Sequence, residues 1–362
     1  MPNYEEVVKL TSTEYTTLSE LQAKLFGKDS PIARLTYEYA VEQTLGAMLP
    51  VATATGRMDD ESPFLEPWEY NKNSHTTDLD SGARYSKVGT YKRKDILGMR
   101  ESAIGINKKQ YKMQGALGNW WRAEQSFDRA KKIGLDNEHD MFWGDPRQDP
   151  KSFLGLFPRF QVITDMYGIV QAGDHKGEKS PYITLDAGGT TDGALSSVYL
   201  IYPNNKDGVC WLIPGKDADY QYGVEYDPGE FVRIKTIGDS GEPEALDEAT
   251  DIFRVCGGIG MRNRLACIRI ANVDISTEAG FKKLRRCIRE ANEAVSPSIS
   301  NGFIGFTSSG VKLDILDQYE NLVKPASYNE AQSPKIDKGA IMLDGQKIMS
   351  IVHLNDGEEK VV

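Results

Sequence analysis

The sequence predicts an α+β fold, and three observations carry that prediction. Helical periodicity is confined to separated segments, the clearest at 109–139 and 277–295. Strand-like runs cluster between 180 and 275: SSVYLIY (196–202), VCWLI (209–213) and RLACIRIANVD (264–274). The tail, 335–357, reads as two paired strands, GAIMLDG and KIMSIVHL, around a turn.

Each element follows from local pattern. The first 50 or so residues read as an arm with two short helices. Leu18, Leu21 and Leu25 have helical spacing, as roughly do Leu35, Tyr39 and Leu45, and Gly27 and Pro31 separate the two. Between 50 and 110 apolar runs are few and charge is segregated. Asp59, Asp60, Glu61, Glu66, Glu69, Asp78 and Asp80 make the first half acidic. Arg84, Lys87, Lys92, Arg93, Lys94, Arg100, Lys108 and Lys109 make the second half basic. This pattern suggests an extended hairpin. A long hairpin that cannot bury its own faces needs another surface. Segregated charges suit a head-to-tail contact between identical subunits. The alternative is a solvated insertion.

Over 109–139, Leu117, Trp120, Trp121, Phe127, Ala130 and Ile133 fall mostly on one helical face. Glycines and prolines between Trp143 and Phe160 then impose an irregular connector, leading to a strand around Gln161–Tyr167. The runs at 196–202 and 209–213 read as strands joined by a short turn. The acidic stretch 217–251 reads as solvated surface. Over 277–295, Phe281, Leu284, Ile288, Ala291 and Val295 form an apolar stripe opposite Lys282, Lys283, Arg285, Arg286 and Arg289. Ser276 is the expected N-cap and Pro297 the stop.

Composition bounds the function. The chain has 362 residues, 40% hydrophobic and 27% charged, as a soluble globular protein would. Its net charge of −10 argues against a broad grip on phosphate backbones and is compatible with a container. No run approaches a membrane span, and MPNYEEVVKL lacks the features of a signal peptide, so a cytoplasmic origin is expected. Cys210, Cys256, Cys267 and Cys287 read as buried free thiols. The four histidines, His75, His139, His175 and His353, are scattered without metal-ligand spacing.

Candidate chemical motifs fail on spacing. Gly173 to Ser180 glances at a phosphate loop, but its second glycine is not followed by lysine. Gly257-Gly258-Ile259-Gly260 lacks the third glycine and helix of a dinucleotide fingerprint. Asp186 to Gly193 holds two carboxylates but reads better as a tight turn than as a cation loop. No G-x-S-x-G elbow exists. No catalytic, cofactor-binding or metal-binding residue is assigned.

Three blocks carry a resemblance. The first is Asp140-Met-Phe-Trp143-Gly144-Asp145-Pro146, followed by Phe153-Leu-Gly155-Leu156-Phe-Pro158-Arg159. The second is Asp186 to Gly193 followed by Ser196-Ser-Val-Tyr-Leu. The third runs from Gly260 to Asp274 with Arg269-Ile-Ala271-Asn272-Val-Asp274. In order and spacing they resemble the epsilon-fifteen-like podophage capsid proteins, a family with the Hong Kong 97 fold. The resemblance implies an N-terminal arm (1–59), an extended E-loop (60–108), a peripheral P-domain with a spine helix (109–180), an axial A-domain (181–330) and return strands of the P-domain (331–362). It also implies a structural subunit that assembles as hexamers and pentamers into an icosahedral head around double-stranded DNA. The implied partners are further copies, a portal, a scaffolding protein, a decoration or cement protein and, weakly, the packaged DNA. The implied location is the virion, with assembly in the host cytoplasm. Asp59, Asp60, Glu61, Glu66, Glu69, Arg84, Lys87, Lys92, Arg93 and Lys94 are the candidate intersubunit contacts. Some relatives cross-link Lys to Asn; no such pair is assigned here. Competing readings are an encapsulin-like compartment shell, a β-rich soluble hydrolase, and a decoration or tail protein.

Overall fold

The computed structural model describes residues 4–13, 16–57, 59–65, 90–161, 180–190, 195–216, 220, 222–237, 243–323, 336–337, 340–354, 357–358 and 360–361. Three helices open the chain: α1 (Tyr4–Thr13), α2 (Leu18–Phe26) and α3 (Pro31–Val41). The backbone N–H of Thr17 donates to Glu20 at 3.1 Å, which closes the first turn of α2. Ser30 caps α3 by accepting from Ala33 N at 3.2 Å, with Pro31 at the first helical position. The expectation of two helices missed α1, which buries little beyond Val7 and Thr11 and so carries almost no apolar stripe. The expectation of an arm also needs correction for this part. Val7, Leu18, Leu21, Leu35, Tyr39, Leu45 and Leu49 belong to the main core of their own chain, and Leu45 lies beyond the end of α3.

Strands β1 (Val51–Thr53), β2 (Asp59–Leu65), β3 (Thr90–Ile96) and β4 (Gly98–Asn107) follow, then α4 (Lys108–Met113) and α5 (Gly118–Trp143). The long helix is thus α5. It is separated from α4 by a 3₁₀ turn at Gly115–Leu117, where Gly115 takes a positive φ. A second 3₁₀ turn, Phe157–Phe160, ends the connector. The β-rich middle comprises β5 (Thr184–Asp186), β6 (Ser196–Ile201), β7 (Val209–Ile213), β8 (Val224–Asp227), β9 (Val232–Ile237), β10 (Pro243–Met261) and β11 (Cys267–Val273). The chain closes with α6 (Glu278–Glu293), α7 (Pro297–Ser300), β12 (Ile304–Thr307), α8 (Ser309–Val323), β13 (Ile336–Asp337), β14 (Ala340–Leu343) and β15 (Gln346–Ser350). The strand expected at Gln161–Tyr167 and the glycine run from Gly173 lie outside the described residues.

Two sheets organise these elements. In the first, the 19-residue β10 pairs with β4 along one edge and with β7, β8 and β9 in succession along the other, and β1 extends the sheet beyond β7. In the second, the order is β13-β14-β15-β12-β6-β11-β5. The expected hairpin of 196–202 and 209–213 is therefore wrong: β6 and β7 sit in different sheets. Every residue of both strands is buried, so each can serve as an interior strand. The turn between them carries the chain from one sheet to the other.

The last strands depart from expectation as well. They were to return to the sheet beside the long helix. Instead β15 runs parallel to β12, from Ile304 opposite Lys347 to Thr307 opposite Ser350. Ile341, Leu343 and Ile348 then share a core with Phe281, Leu284 and Ile288 of α6, a burial of roughly 1.5–3 kcal/mol for each large side chain. The stretch after β15 meets α5, where Trp143 Nε1 donates to the His353 carbonyl at 2.9 Å. The β14–β15 turn is Asp344-Gly345, both at positive φ (47° and 84°), the conformation a two-residue hairpin requires.

Helix α6 starts one residue later than expected. Thr277 is its N-cap and accepts from Gly280 N at 3.2 Å, while Ser276 donates to Asp274. Its basic stripe is partly anchored. Arg285 and Arg289 both donate to Asp344, which is held below the usual carboxylate range: burial opposes ionisation, but the two guanidiniums outweigh it. The acidic stretch 217–251 is not simply solvated surface, because it supplies β8, β9 and the first part of β10, and Asp251 is buried. The glycines at 257, 258 and 260 lie inside β10; a side chain at Gly257 would meet the Trp211 ring.

Helices α3 and α5 cross closely at Gly134, where an added Cβ would strike the Tyr39 carbonyl oxygen. Alanine normally stabilises a helix interior over glycine by about 1 kcal/mol. Gly134→Ala should reverse that sign and destabilise the subunit by roughly 1–3 kcal/mol through overpacking. Urea denaturation of dissociated subunits measures it; a raised midpoint would contradict the close crossing.

Candidate intersubunit interface and the hairpin root

Strands β2 and β3 form a two-stranded antiparallel sheet, from Asp59 opposite Ile96 to Leu65 opposite Thr90. Among the described residues they pair with no other strand. Immediately after, β4 turns back onto β10 over ten paired positions, Gly98–Gly257 to Asn107–Glu248. The extended hairpin expected over 60–108 therefore ends at Ile96, and 98–107 is part of the subunit's first sheet. The reason is the alternating burial of β4, which reaches full burial only at Ile106.

The root of this hairpin is a buried ion pair. Arg159, on the 3₁₀ turn of the connector, donates from Nη1 to Asp95 Oδ1 at 2.5 Å, and neither side chain reaches solvent. The remaining guanidinium donors go to the carbonyls of Gly155 (3.1 Å), Leu154 (3.1 Å) and Ile259 (2.8 Å). Asp95 Oδ2 accepts from Met261 N at 3.2 Å. Ser180 Oγ donates to the Arg159 carbonyl. Burial alone would lower the Arg159 pKa, but the facing Asp95 carboxylate and the Tyr182 hydroxyl outweigh it and the group stays above its ordinary value. One guanidinium thus ties together β3, the connector and the end of β10.

The connector that presents Arg159 is built from the first block. Gly144 ends α5, and Gly155 N donates back to the Gly144 carbonyl, with Leu156 N donating to Met141 O, both at 2.8 Å. Asp145 accepts from Arg147 N and holds its side chain, which closes the intervening turn. Asp140, one turn before the helix end, accepts from Arg100 of β4 and from Ser152 Oγ (3.1 Å). At the other end of α5, Arg122 holds Asp251 of β10 through two donors. That bond keeps the guanidinium above its usual pKa, with burial opposing. The helix is therefore pinned across the first sheet at both ends.

The third block has a comparable task. Arg269 of β11 donates to Ser197 Oγ (3.0 Å) and to Glu358 (2.7 Å) and stacks 4.6 Å over the Phe157 ring. Asn272, at φ 53°, exchanges two hydrogen bonds with the Val361 backbone and donates to Asp186 at 2.8 Å. Asp186 also accepts from Gly188 N at 2.7 Å, so this carboxylate closes a tight turn.

The candidate contact residues fare unevenly. Asp60 is corrected: it is buried and accepts from Thr55 N at 3.0 Å, so its carboxylate serves its own chain. Asp59 and Lys94 form a pair at 2.9 Å, each about one-third exposed. The backbone register also sets Glu61 opposite Lys94, Ser62 opposite Arg93 and Pro63 opposite Lys92, so the acidic and basic halves face each other across the root. Glu66, Glu69, Arg84 and Lys87 lie outside the described residues. Asp95 and Arg159 were not singled out as a pair. A lone acid after the basic run 92–94, next to apolar Ile96, was the available signal; Arg159 was quoted only as the end of a resemblance block. Among the described residues no group of three or more His, Cys, Asp or Glu could hold a metal ion, and no helix is long and apolar enough to cross a membrane.

A long helix laid on one sheet, a second sheet covered by helices, and a hairpin leaving the first sheet define the class of fold: Hong Kong 97-like, as in phage capsid structures. The chain belongs to the family described as major capsid protein GP7, which it matches over residues 72–359. It is a major capsid protein of phage heads, a virion structural protein that assembles in many copies. Among solved structures it is similar to bacteriophage Epsilon15, at a TM-score of 0.51 and 12% identity over 86% of this chain and 87% of that one. The bacteriophage JBD30 capsid aligns at a TM-score of 0.47 and 11% identity over 85% and 89%. An encapsulin complex from Synechococcus elongatus aligns at 0.34 and 10% identity over 64% and 88%. Comparison with curated proteins gave no match.

Removing one partner of a buried ion pair leaves an uncompensated charge and costs about 3–5 kcal/mol. Asp95→Ala should therefore destabilise the subunit by that order, and Asp95→Leu with Arg159→Met by distinctly less. Denaturant unfolding of both variants decides it; equal losses would show that the charges do not act as a unit.

Proposed function

We propose that this capsid protein builds an icosahedral head from hexamers and pentamers, enclosing double-stranded DNA, with the hairpin of β2, β3 and the residues between them lying on a neighbouring copy. The observation that carries this is the isolated two-stranded sheet. Two strands alone are marginally stable in water and expose unpaired edges. Here the hairpin is rooted by a fully buried ion pair, which fixes its exit direction, while β2 and β3 pair with no further strand among the described residues. A neighbour's surface supplies that partner. Glu61, Glu66, Glu69, Arg84, Lys87, Lys92 and Arg93 are the charges available for the contact, Asp60 being internal and Lys94 engaged with Asp59.

In this reading α5 with the first sheet forms the peripheral unit, and the second sheet, β13–β15 included, forms the axial unit with α6. The role is mechanical and includes no catalysis. Scaffolding protein, portal and a decoration protein are the expected partners, with assembly in the host cytoplasm. A net charge of −10 suits a lining that touches the genome only weakly. Exposed pairs contribute about 0–1 kcal/mol each, so the contact matters through repetition around every capsomer and should weaken with salt.

Lys92→Glu with Arg93→Glu leaves the Asp59–Lys94 pair in place. It should lower shell yield and flatten the salt dependence of assembly, with subunit unfolding unchanged. Sedimentation and electron microscopy across a salt series provide the check. Normal shells with the parental salt response would contradict the electrostatic contact.

A further inference from the structure

Helix α5 and the C-terminal stretch meet at a pair of imidazoles. By their spacing, Asp136, His139 and Trp143 share one face of α5. The turn that follows β15 docks there. Its His353 carbonyl accepts from Trp143 Nε1, and its His353 ring stands edge-on to the His139 ring, with centroids 5.8 Å apart and planes at 89°. Ile351 and Leu354, on either side, are buried, and Ile351 N donates to the Thr307 carbonyl of β12 at 2.8 Å. Beyond the turn the chain runs on to Glu358, bonded to Arg269, and to Val361, bonded to Asn272. This contact therefore attaches the end of the second sheet to the helix of the first.

The two rings are not alike. His139 is half-exposed, and its Nδ1 lies 3.3 Å from Asp140. His353 Nε2 is buried and has no hydrogen-bond partner among the described residues. An imidazolium carries two N–H donors, and the one at Nε2 would meet neither water nor an acceptor. Among the described residues the charged groups that face His353 are His139 and Asp136, both on α5. Arg100 of β4 stands behind them, 3.9 Å from Asp136 and bonded to Asp140. Burial and the facing His139 hold the His353 ring below the ordinary imidazole range, with Asp136 opposing them.

We propose that the His139–His353 contact is an acid-sensitive joint, in which protonation of the two facing rings releases the C-terminal stretch from α5 and loosens the second sheet from that helix. The joint lies within one subunit and does not depend on where the hairpin rests. A released His353 takes up a proton near pH 6.5, and the docked ring only at lower pH. The released state therefore binds more protons as the pH falls, so docking is fully favoured above about pH 6.5 and weakens progressively below it. Ordinary carboxylates titrate near pH 4, below the window of about 5 to 6.5 in which the histidines act.

The test is hydrogen exchange of the full chain, read by mass spectrometry on peptides covering 351–361 and corrected for the intrinsic exchange rate at each pH. The Ile351, Leu354, Glu358 and Val361 amides all donate in the docked state. Between pH 7.5 and 5.5 their protection should fall by up to about tenfold, the factor set by a ring that titrates near 6.5 only when released. The amides of β6 should keep theirs. His353→Gln leaves a polar side chain that cannot charge and should abolish the fall. His139→Gln alters only a half-exposed ring and should reduce the fall, because the facing charge is gone while the burial remains; it carries the test alone if His353→Gln does not fold. An equal fall in the parental chain and both variants, or no fall in the parental chain, would overturn the proposal. A loss of protection spread equally over β6 would overturn it too, because acid would then be loosening the whole subunit.

Discussion

The buried pair of Arg159 and Asp95 is the constraint on which the rest of the subunit depends. Taking two charges out of water costs several kcal/mol per ion, and their attraction repays that only when the remaining donors and acceptors are satisfied. Here Arg159 reaches the carboxylate and three carbonyls, and Asp95 takes a backbone N–H from β10. These partners come from three separate stretches of chain, β3, the connector and the end of β10. A register slip in β3, a longer connector or a displaced end of β10 would strand a charge without solvent. The pair therefore selects one arrangement among compact alternatives, and its product is a fixed angle at which the β2–β3 hairpin leaves the subunit.

A second set of polar locks joins the two sheets. The chain itself links them at the turns from β6 to β7 and from β10 to β11. Arg269, stacked on Phe157 of the connector and bonded to Glu358, brings the C-terminal stretch, β11 and the connector together. Asn272 accepts a left-handed backbone to hold Val361. With Arg122–Asp251 at one end of α5 and Arg100–Asp140 at the other, buried or half-buried guanidinium–carboxylate pairs mark the joints, while apolar burial fills the spaces between. A shell subunit loaded from all sides gains from joints that have direction.

Local pattern made the helices α5 and α6 and the strands β6, β7 and β11 legible, because each carries its own periodicity or an unbroken apolar run. Pairing was not legible. β6 and β7 sit either side of a short turn, and nothing local distinguishes a hairpin from a crossing between sheets when both strands are buried throughout. The destination of β15 was hidden for the same reason: its partner β12 lies 43 residues back, from Lys347 to Ile304, and is only four residues long. Charge was misread where it was counted rather than paired. Asp251 and Asp60 are acids within acidic runs, yet each is buried against a partner distant enough, or ordinary enough, to leave no mark in composition. The family resemblance drew attention to the connector and the β11 block, but only the folded chain explains them: both present an arginine whose donors bind separate segments.

The most direct measurement is a near-atomic electron-microscopy map of shells assembled from the unmodified chain. The account requires density for Asp95 and Arg159 buried together in every subunit, with the hairpin beyond them resting on an adjacent copy. A map in which the hairpin folds back along its own subunit, leaving neighbours to meet only through other surfaces, would contradict it.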